Sequence, residues 1–228
     1  MFTGSGPGVQ APDGCSVEFY RRLPYIGELD AVRKRLPPGA EVLELGCGTG
    51  RLTRKFIEWC LRPTSIDNSP EMLAELPGGA VPVLADIENL RLSKRFDVAV
   101  LASCLINHPS DATRVRFLET AAHHLRAGGI LLAQRQDPRW LETATVGLTS
   151  KLGPMELRVE NVHRVDNVVT MTLRYSDGAD SWLHSFVTIS LLEDEIERML
   201  SDCRFEHFSW LGPKHRWVAA RRRSDGAP

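Results

Sequence analysis

The 228-residue chain has no apolar run approaching the roughly 18 residues that would span a bilayer, and no charged-then-apolar leader opens it. That pattern predicts a cytoplasmic protein with no membrane partner. Charge is not in excess either: 28 basic residues stand against 29 acidic ones, so no global field draws the chain to nucleic acid. Cysteine is sparse and unpaired. Cys15, Cys47, Cys60, Cys104 and Cys203 contain no C-x-x-C spacing, which argues against a metal or dithiol site and predicts small core residues in a reducing compartment. No internal repeat or inner low-complexity linker is present. What remains is ordinary globular material, 43% hydrophobic and 25% charged, enough for one well-filled domain.

Residues 1–14 are rich in Gly and Pro and are expected to be disordered, 15–221 to form a single domain, and 222–228 to be a flexible tail. Ile26, Leu29, Val32 and Leu36 predict a helix over 25–36 that Pro37-Pro38-Gly39 ends. Strands are expected at 41–45, 63–67, 81–85, 96–102 and 130–134. Helices should separate them after Gly50, after the Ser69-Pro70 cap as far as Leu76, and over 111–126. This alternation predicts an α/β fold with a doubly wound sheet and ligands at the carboxyl ends of its strands. After the fifth strand the apolar period becomes two. Three antiparallel strands are expected at 156–165, 168–175 and 181–190, within an insertion over 141–190. A helix over 192–203 and strands near 205–208 and 216–220 close the fold.

Glu41-Val-Leu-Glu-Leu-Gly-Cys-Gly-Thr-Gly50 runs a buried strand into a turn of three alternate glycines, Gly46, Gly48 and Gly50, where a ligand needs bare backbone. A phosphate-cradling loop requires G-x-x-x-x-G-K-[ST]; neither that spacing nor the lysine is present. A dinucleotide loop requires G-x-G-x-x-G, and here the third glycine comes one position early. Asp67 ends the second strand about twenty residues on, where a ribose-binding carboxylate stands in either class of cofactor fold.

Taken together, these segments resemble the class I S-adenosylmethionine-dependent methyltransferases of the small-molecule type, over roughly residues 18–135. Residues 42–50 look like the first motif of that family, and Ile66-Asp-Asn-Ser-Pro-Glu-Met-Leu73 like its second-strand signature. Ala85-Asp-Ile-Glu88 looks like the segment that reads the adenine edge, and residues 96–108 and 125–132 like its fourth and fifth strands. The resemblance implies a seven-stranded Rossmann-like sheet with an antiparallel last strand. It implies S-adenosyl-L-methionine as cofactor and S-adenosyl-L-homocysteine as product. It also implies cofactor contacts at Glu44, Gly46, Gly48, Gly50, Asp67, Asn68, Met72, Asp86, Ile87 and Ala102, with Tyr20 folding over the cofactor. Such a cofactor has no pyrophosphate, so the glycines admit its methionine part and ribose, and Glu44 can accept from its ammonium.

Methyl transfer is an in-line displacement for which positioning supplies much of the rate, and it requires no metal. A base is needed only for a nucleophile that arrives protonated. His108, in the loop after the fourth strand, and His184, on a strand face with two aromatics, are the catalytic candidates. Arg135, Asp137 and Trp140, after the fifth strand, and Trp182, beside His184, are the candidate substrate contacts. His123 and His124 suit a helix C-terminus and are set aside. The Asn/Asp-Pro-Pro-aromatic motif of similar enzymes acting on nucleic acid or protein amides is missing; Ala102-Ser-Cys-Leu105 stands there. The expected acceptor is therefore an O, N or C nucleophile of a small molecule, such as a secondary metabolite, and the expected assembly a monomer or homodimer. Two rival readings stay open: a nicotinamide-dependent oxidoreductase, and a non-catalytic cofactor-binding module that docks a partner through residues 156–190.

Overall fold

A computed structural model describes residues 2–224. Its strands are fully buried where the sequence is continuously apolar, as at Leu43, Leu45, Val98 and Val100, because helices cover both faces of the sheet. The chain runs β1 (Thr3–Ser5), α1 (Val17–Arg22), β2 (Glu41–Leu45), α2 (Arg51–Glu58), β3 (Arg62–Asp67), α3 (Pro70–Leu73), β4 (Val81–Leu84) and β5 (Phe96–Leu101). It continues through α4 (Asp111–His124), β6 (Leu125–Gln134), α5 (Pro138–Thr143), β7 (Thr149–Leu152), β8 (Met155–Val165), β9 (Val168–Ser176), β10 (Ser181–Ile189), α6 (Glu193–Asp202), β11 (Phe205–Leu211) and β12 (Trp217–Arg222).

Seven strands form one sheet in the order β11-β12-β6-β5-β2-β3-β4. The last strand, β12, is antiparallel to both its neighbours, and the β4-β3-β2-β5-β6 run is parallel. The order reverses between β2 and β5, the switch point at which the loops after these strands diverge and leave a crevice. One core lies on each face: Leu43, Phe117, Leu118 and Ile196 pack on one side, and Val42, Leu52, Phe56 and Leu29 on the other.

The insertion is larger than its sequence period suggests. Five strands, in the order β1-β10-β9-β8-β7, make a second antiparallel sheet with its own apolar cluster around Leu141, Val159 and Met171. Its edge strand β1 comes from the segment expected to be disordered. Residues 2–15 instead form a strap annealed to β10, with Thr3 opposite Ser185 and Gly4 opposite His184. The glycines that suggest flexibility are where backbones cross: a Cβ at Gly4 would lie 1.8 Å from the Gly14 carbonyl oxygen. Gly14 has φ +80, and a Cβ there would lie 2.5 Å from the Thr3 carbonyl carbon. Ser16 Oγ and the Trp182 indole N–H both donate to the Pro7 carbonyl, at 2.8 and 3.0 Å.

Other boundaries move for local reasons. Residues 25–36 are not an α-helix but a chain of i→i+3 turns ending in a 3-10 helix, Arg33–Arg35. Gly27 at φ +91 interrupts any α-helix, while the spacing of Leu29, Val32 and Leu36 still buries all three. α3 ends at Leu73 rather than Leu76, and α4 ends at His124 because β6 already begins at Leu125. Arg222 belongs to β12, not to a free tail, whereas residues 225–228 lie outside the described residues. Cys15, Cys47 and Cys203 are buried, but Cys60 is exposed in a left-handed turn and Cys104 is half-buried.

Candidate active site

The carboxyl ends of β2 and β3, the loops after β4 and β5, the strap and the inner face of β9 and β10 enclose one cavity of about 480 Å³. At its sheet end the glycine turn leaves β2. Gly48 has φ +53, and a Cβ there would meet only the Met72 sulfur at 3.9 Å, so its bare backbone opens to the cavity. Gly46 instead makes room for Leu105, whose Cδ1 would lie 2.7 Å from an added Cβ. Gly50 is the left-handed N-cap of α2 and packs on Leu76; it does not line the cavity. Nor does Ala102, which is buried in the core below.

Three carboxylates reach the cavity from successive strand ends. Glu44 is 2% exposed and accepts from the Thr53 and Ser65 hydroxyls, the latter at 3.0 Å. Burial pushes its pKa up to about 7, since no cation offsets the desolvation. Asp67 accepts the Gly48 N–H at 2.8 Å and the Ser69 N–H at 3.0 Å, so it also ties the glycine turn to the start of α3. Its pKa too is raised by burial. Asp86, exposed, accepts from Asn68 Nδ2 at 3.0 Å, and buried Ile87 and Met72 supply apolar walls.

Sequence reading missed Arg51. It occupies the first turn of α2, where a cation opposes the helix dipole, and that placement was the available signal. Its guanidinium lines the cavity, pairs with Glu28 and has a pKa lowered by burial. It is the sole cationic side chain other than histidine among the described lining residues, which also carry five carboxylates: Asp13, Glu44, Asp67, Asp86 and Glu88.

Tyr20 and Cys15 line the cavity beside Met72, and at the far end His108 and His184 line it together with Phe2, Asn107, Gln136, Tyr175, Phe186 and Thr188. Asn107 is the joint of this wall. It is 2% exposed; its Nδ2 donates to the Ile189 carbonyl at 2.7 Å and its Oδ1 accepts the Gln136 N–H at 2.8 Å. It thus links the loop after β5 to β10 and to the loop after β6. Replacing Asn107 by Leu orphans both buried partners. The expected cost is about 3 kcal/mol, a fall of roughly 10 °C in Tm by calorimetry. An unchanged Tm would remove Asn107 from that role.

The four expected substrate contacts lie elsewhere. Arg135, 4% exposed, donates to the carbonyls of His215 and Leu191, pairs with Glu193 at 3.0 Å and stacks over Trp210. It clamps β6 to the α6 region. Asp137 caps α5 by accepting the Arg139 N–H and pairs with Lys214 at 2.6 Å. Trp140 packs into the core of the second sheet, and Trp182 is buried against the strap. The residue of that loop which does reach the cavity is Gln136. His124 is structural: its Nε2 accepts the Leu92 N–H at 2.9 Å, and Nδ1 sits 2.8 Å from the Thr120 carbonyl.

The profile of the methyltransferase domain family matches residues 42–129, the stretch that carries the glycine turn, Asp67, Asp86 and the loop after β5. No curated sequence matches the chain. Among solved structures, the sugar N-methyltransferase KedS8 from a Streptoalloteichus species is 22% identical, with 91% of this chain and 87% of that one covered and a TM-score of 0.65. CalS10 from Micromonospora echinaspora, an amino pentose methyltransferase solved with S-adenosylmethionine bound, is 19% identical over 92% of both chains, at a TM-score of 0.66. The CcbJ methyltransferase from Streptomyces caelestis is 19% identical over 84% and 86%, at 0.67. At these identities the likeness is one of fold.

Proposed function

We propose, for a chain whose residues 42–129 match the methyltransferase domain family, that it transfers a methyl group from S-adenosylmethionine to a small molecule, and that the nucleophile is an amine nitrogen. The observation that carries this reading is a single cavity with two chemically different ends. Glu44, Asp67 and Asp86 line the sheet end, β9 and β10 wall the other, and the strap runs between them, with Asp13 facing both Asp67 and His184.

The residues fit the cofactor. Glu44 is a buried carboxylate with no cation of its own, suited to the methionine ammonium, and Arg51 offers a charge for the methionine carboxylate. Asp67, fixed by two backbone N–H groups, keeps lone pairs for the ribose hydroxyls, and Asp86 can accept from an exocyclic amine between Ile87 and Met72. When bound, S-adenosylmethionine supplies an electrophilic sulfonium methyl. The chain's own part is to hold the acceptor in line and exclude water.

The acceptor end is apolar and acidic. Phe2, Phe186 and Tyr175 give it aromatic walls, while Asp13 and Glu88 have no ion-pair partner among the described residues. Two such carboxylates repel acidic acceptors and favour a cationic amine. The neighbours named for sugar and amino pentose substrates agree with a small polar ring bearing nitrogen. Against a nicotinamide cofactor, Gly50 is packed on Leu76 and leaves no third open glycine for a pyrophosphate.

Calorimetry should show micromolar binding of S-adenosylhomocysteine. Primary amines on six-membered rings should then release it from S-adenosylmethionine faster than the matching alcohols do. A folded sample that binds no S-adenosylhomocysteine sinks the reading, and faster turnover of the alcohols sinks the choice of nitrogen.

A further inference from the structure

His108 and His184 reach the same cavity from different elements, and each has one ring nitrogen already engaged by the protein. His108 Nδ1 accepts the Ser110 N–H at 3.2 Å, which requires a lone pair on Nδ1 and places the proton of the neutral ring on Nε2. For His184 the order is reversed. Its Nε2 lies 3.3 Å from the Asp13 carbonyl oxygen, which can only accept, so Nε2 bears the proton and Nδ1 keeps its lone pair. The Cys15 sulfur, 3.7 Å from the same Nε2, is compatible, because its own S–H goes to the Tyr20 oxygen at 3.7 Å. His108 Nε2 and His184 Nδ1 have no partner among the described residues. The lining of the cavity thus carries one ring N–H and one ring lone pair that the described residues do not use.

We propose that His184 Nδ1 is the proton acceptor for the methyl acceptor, and that His108 Nε2–H is a hydrogen-bond donor that orients it. This rests on the methyl-transfer reading above. An ammonium acceptor loses one N–H proton to the Nδ1 lone pair, leaving an imidazolium. The electron pair of that N–H bond stays on nitrogen as the nucleophile. The two histidines are not interchangeable, because His108 in its neutral form has a proton where a base would need a lone pair.

The strap sets this arrangement. The carbonyl that fixes the His184 tautomer belongs to Asp13, next to the Gly4 and Gly14 crossing, and Phe2 of the same segment stacks on His108 at 5.7 Å. The titratable groups facing His184 are the Asp13 carboxylate and the Cys15 thiol of the strap, with the Tyr20 hydroxyl of α1 behind the thiol. Burial outweighs the Asp13 charge and pushes the His184 pKa down; burial does the same at His108. Both rings are then neutral when substrate arrives.

The test needs no natural acceptor. Protein labelled with ¹⁵N-histidine is saturated first with S-adenosylhomocysteine and then with sinefungin, whose ammonium stands where the transferred methyl would be. Two-bond ¹⁵N–¹H correlation reads each ring, with His184→Gln and His108→Gln assigning the signals. At pH 7.5 both rings should be neutral and protonated on Nε2. The exchange to sinefungin should move His184 Nδ1 and His108 Nε2 while leaving the exposed His123 and His207 unmoved. A proton on His184 Nδ1 at that pH, or no movement of its signal between the two complexes, overturns the proposal. Failure of either complex to form counts against the cofactor reading instead.

Discussion

Asp67→Ala should weaken S-adenosylhomocysteine binding by about 100-fold, read by calorimetry at pH 8. Two losses add. A carboxylate accepting from the ribose hydroxyls contributes hydrogen bonds to a charged group, of order 1.5–3 kcal/mol each before compensation by water. Asp67 also holds the Gly48 N–H at 2.8 Å, so its removal frees the turn whose bare backbone opens to the cavity. Asp67→Asn separates the two effects. It keeps an acceptor oxygen for one backbone N–H but not the charge, and should fall between wild type and Ala. Affinity within threefold of wild type for Asp67→Ala would take this carboxylate out of the cofactor site. Both variants should stay folded, because burial already raises the Asp67 pKa and its ionised form is not what stabilises the apo protein.

The parts of this site that the sequence reveals are those where local chemistry and fold coincide. The glycine turn, Asp67 and Asp86 each sit at a strand end, and a strand end is fixed by apolar period and turn residues within a few positions. The wall formed by β10, the strap and the loop after β5 is different, because it is assembled across long sequence separations. Asp13 meets His184, and Asn107 meets Ile189, with no local pattern to announce either contact. Arg135 and Asp137 illustrate the opposite error. They lie next to a strand end, yet their partners Glu193, His215 and Lys214 are distant in sequence and turn both side chains into struts. The strap is not legible in the sequence because Gly and Pro content is ambiguous: glycine permits disorder, and it is equally what two crossing backbones require. Only the neighbour decides, and for Gly4 that neighbour is Gly14.

Glu44→Gln should make the apo protein more stable and its binding of S-adenosylhomocysteine weaker. Burial raises the Glu44 pKa in the folded chain from 4.5 to about 7. The folded state therefore holds this proton more tightly than the unfolded state does. Its contribution to stability is fully present below the unfolded value, falls as pH rises through the interval, and is lost above about pH 7. The span corresponds to about 3 kcal/mol, an order-of-magnitude figure for a fully buried group. Gln keeps a carbonyl oxygen for the Thr53 and Ser65 hydroxyls and has no charge to desolvate. The difference in unfolding free energy between Glu44→Gln and wild type should thus grow in favour of the variant from pH 5 to pH 8, by up to that amount. Taking the difference cancels the carboxylates whose pKa values fall on folding, such as Asp137 and Asp177. Binding should move the other way. A ligand ammonium recruits the ionised form, so wild-type affinity for S-adenosylhomocysteine should drop up to tenfold per unit as pH falls below about 7. The variant should bind weakly with no such dependence. A flat stability difference across pH 5–8, or the same pH slope of binding in both proteins, would show that Glu44 does not carry the charge the ligand meets. The predicted trade, apo stability against a carboxylate held ready for a cation, is what a buried unpaired charge at a binding site entails.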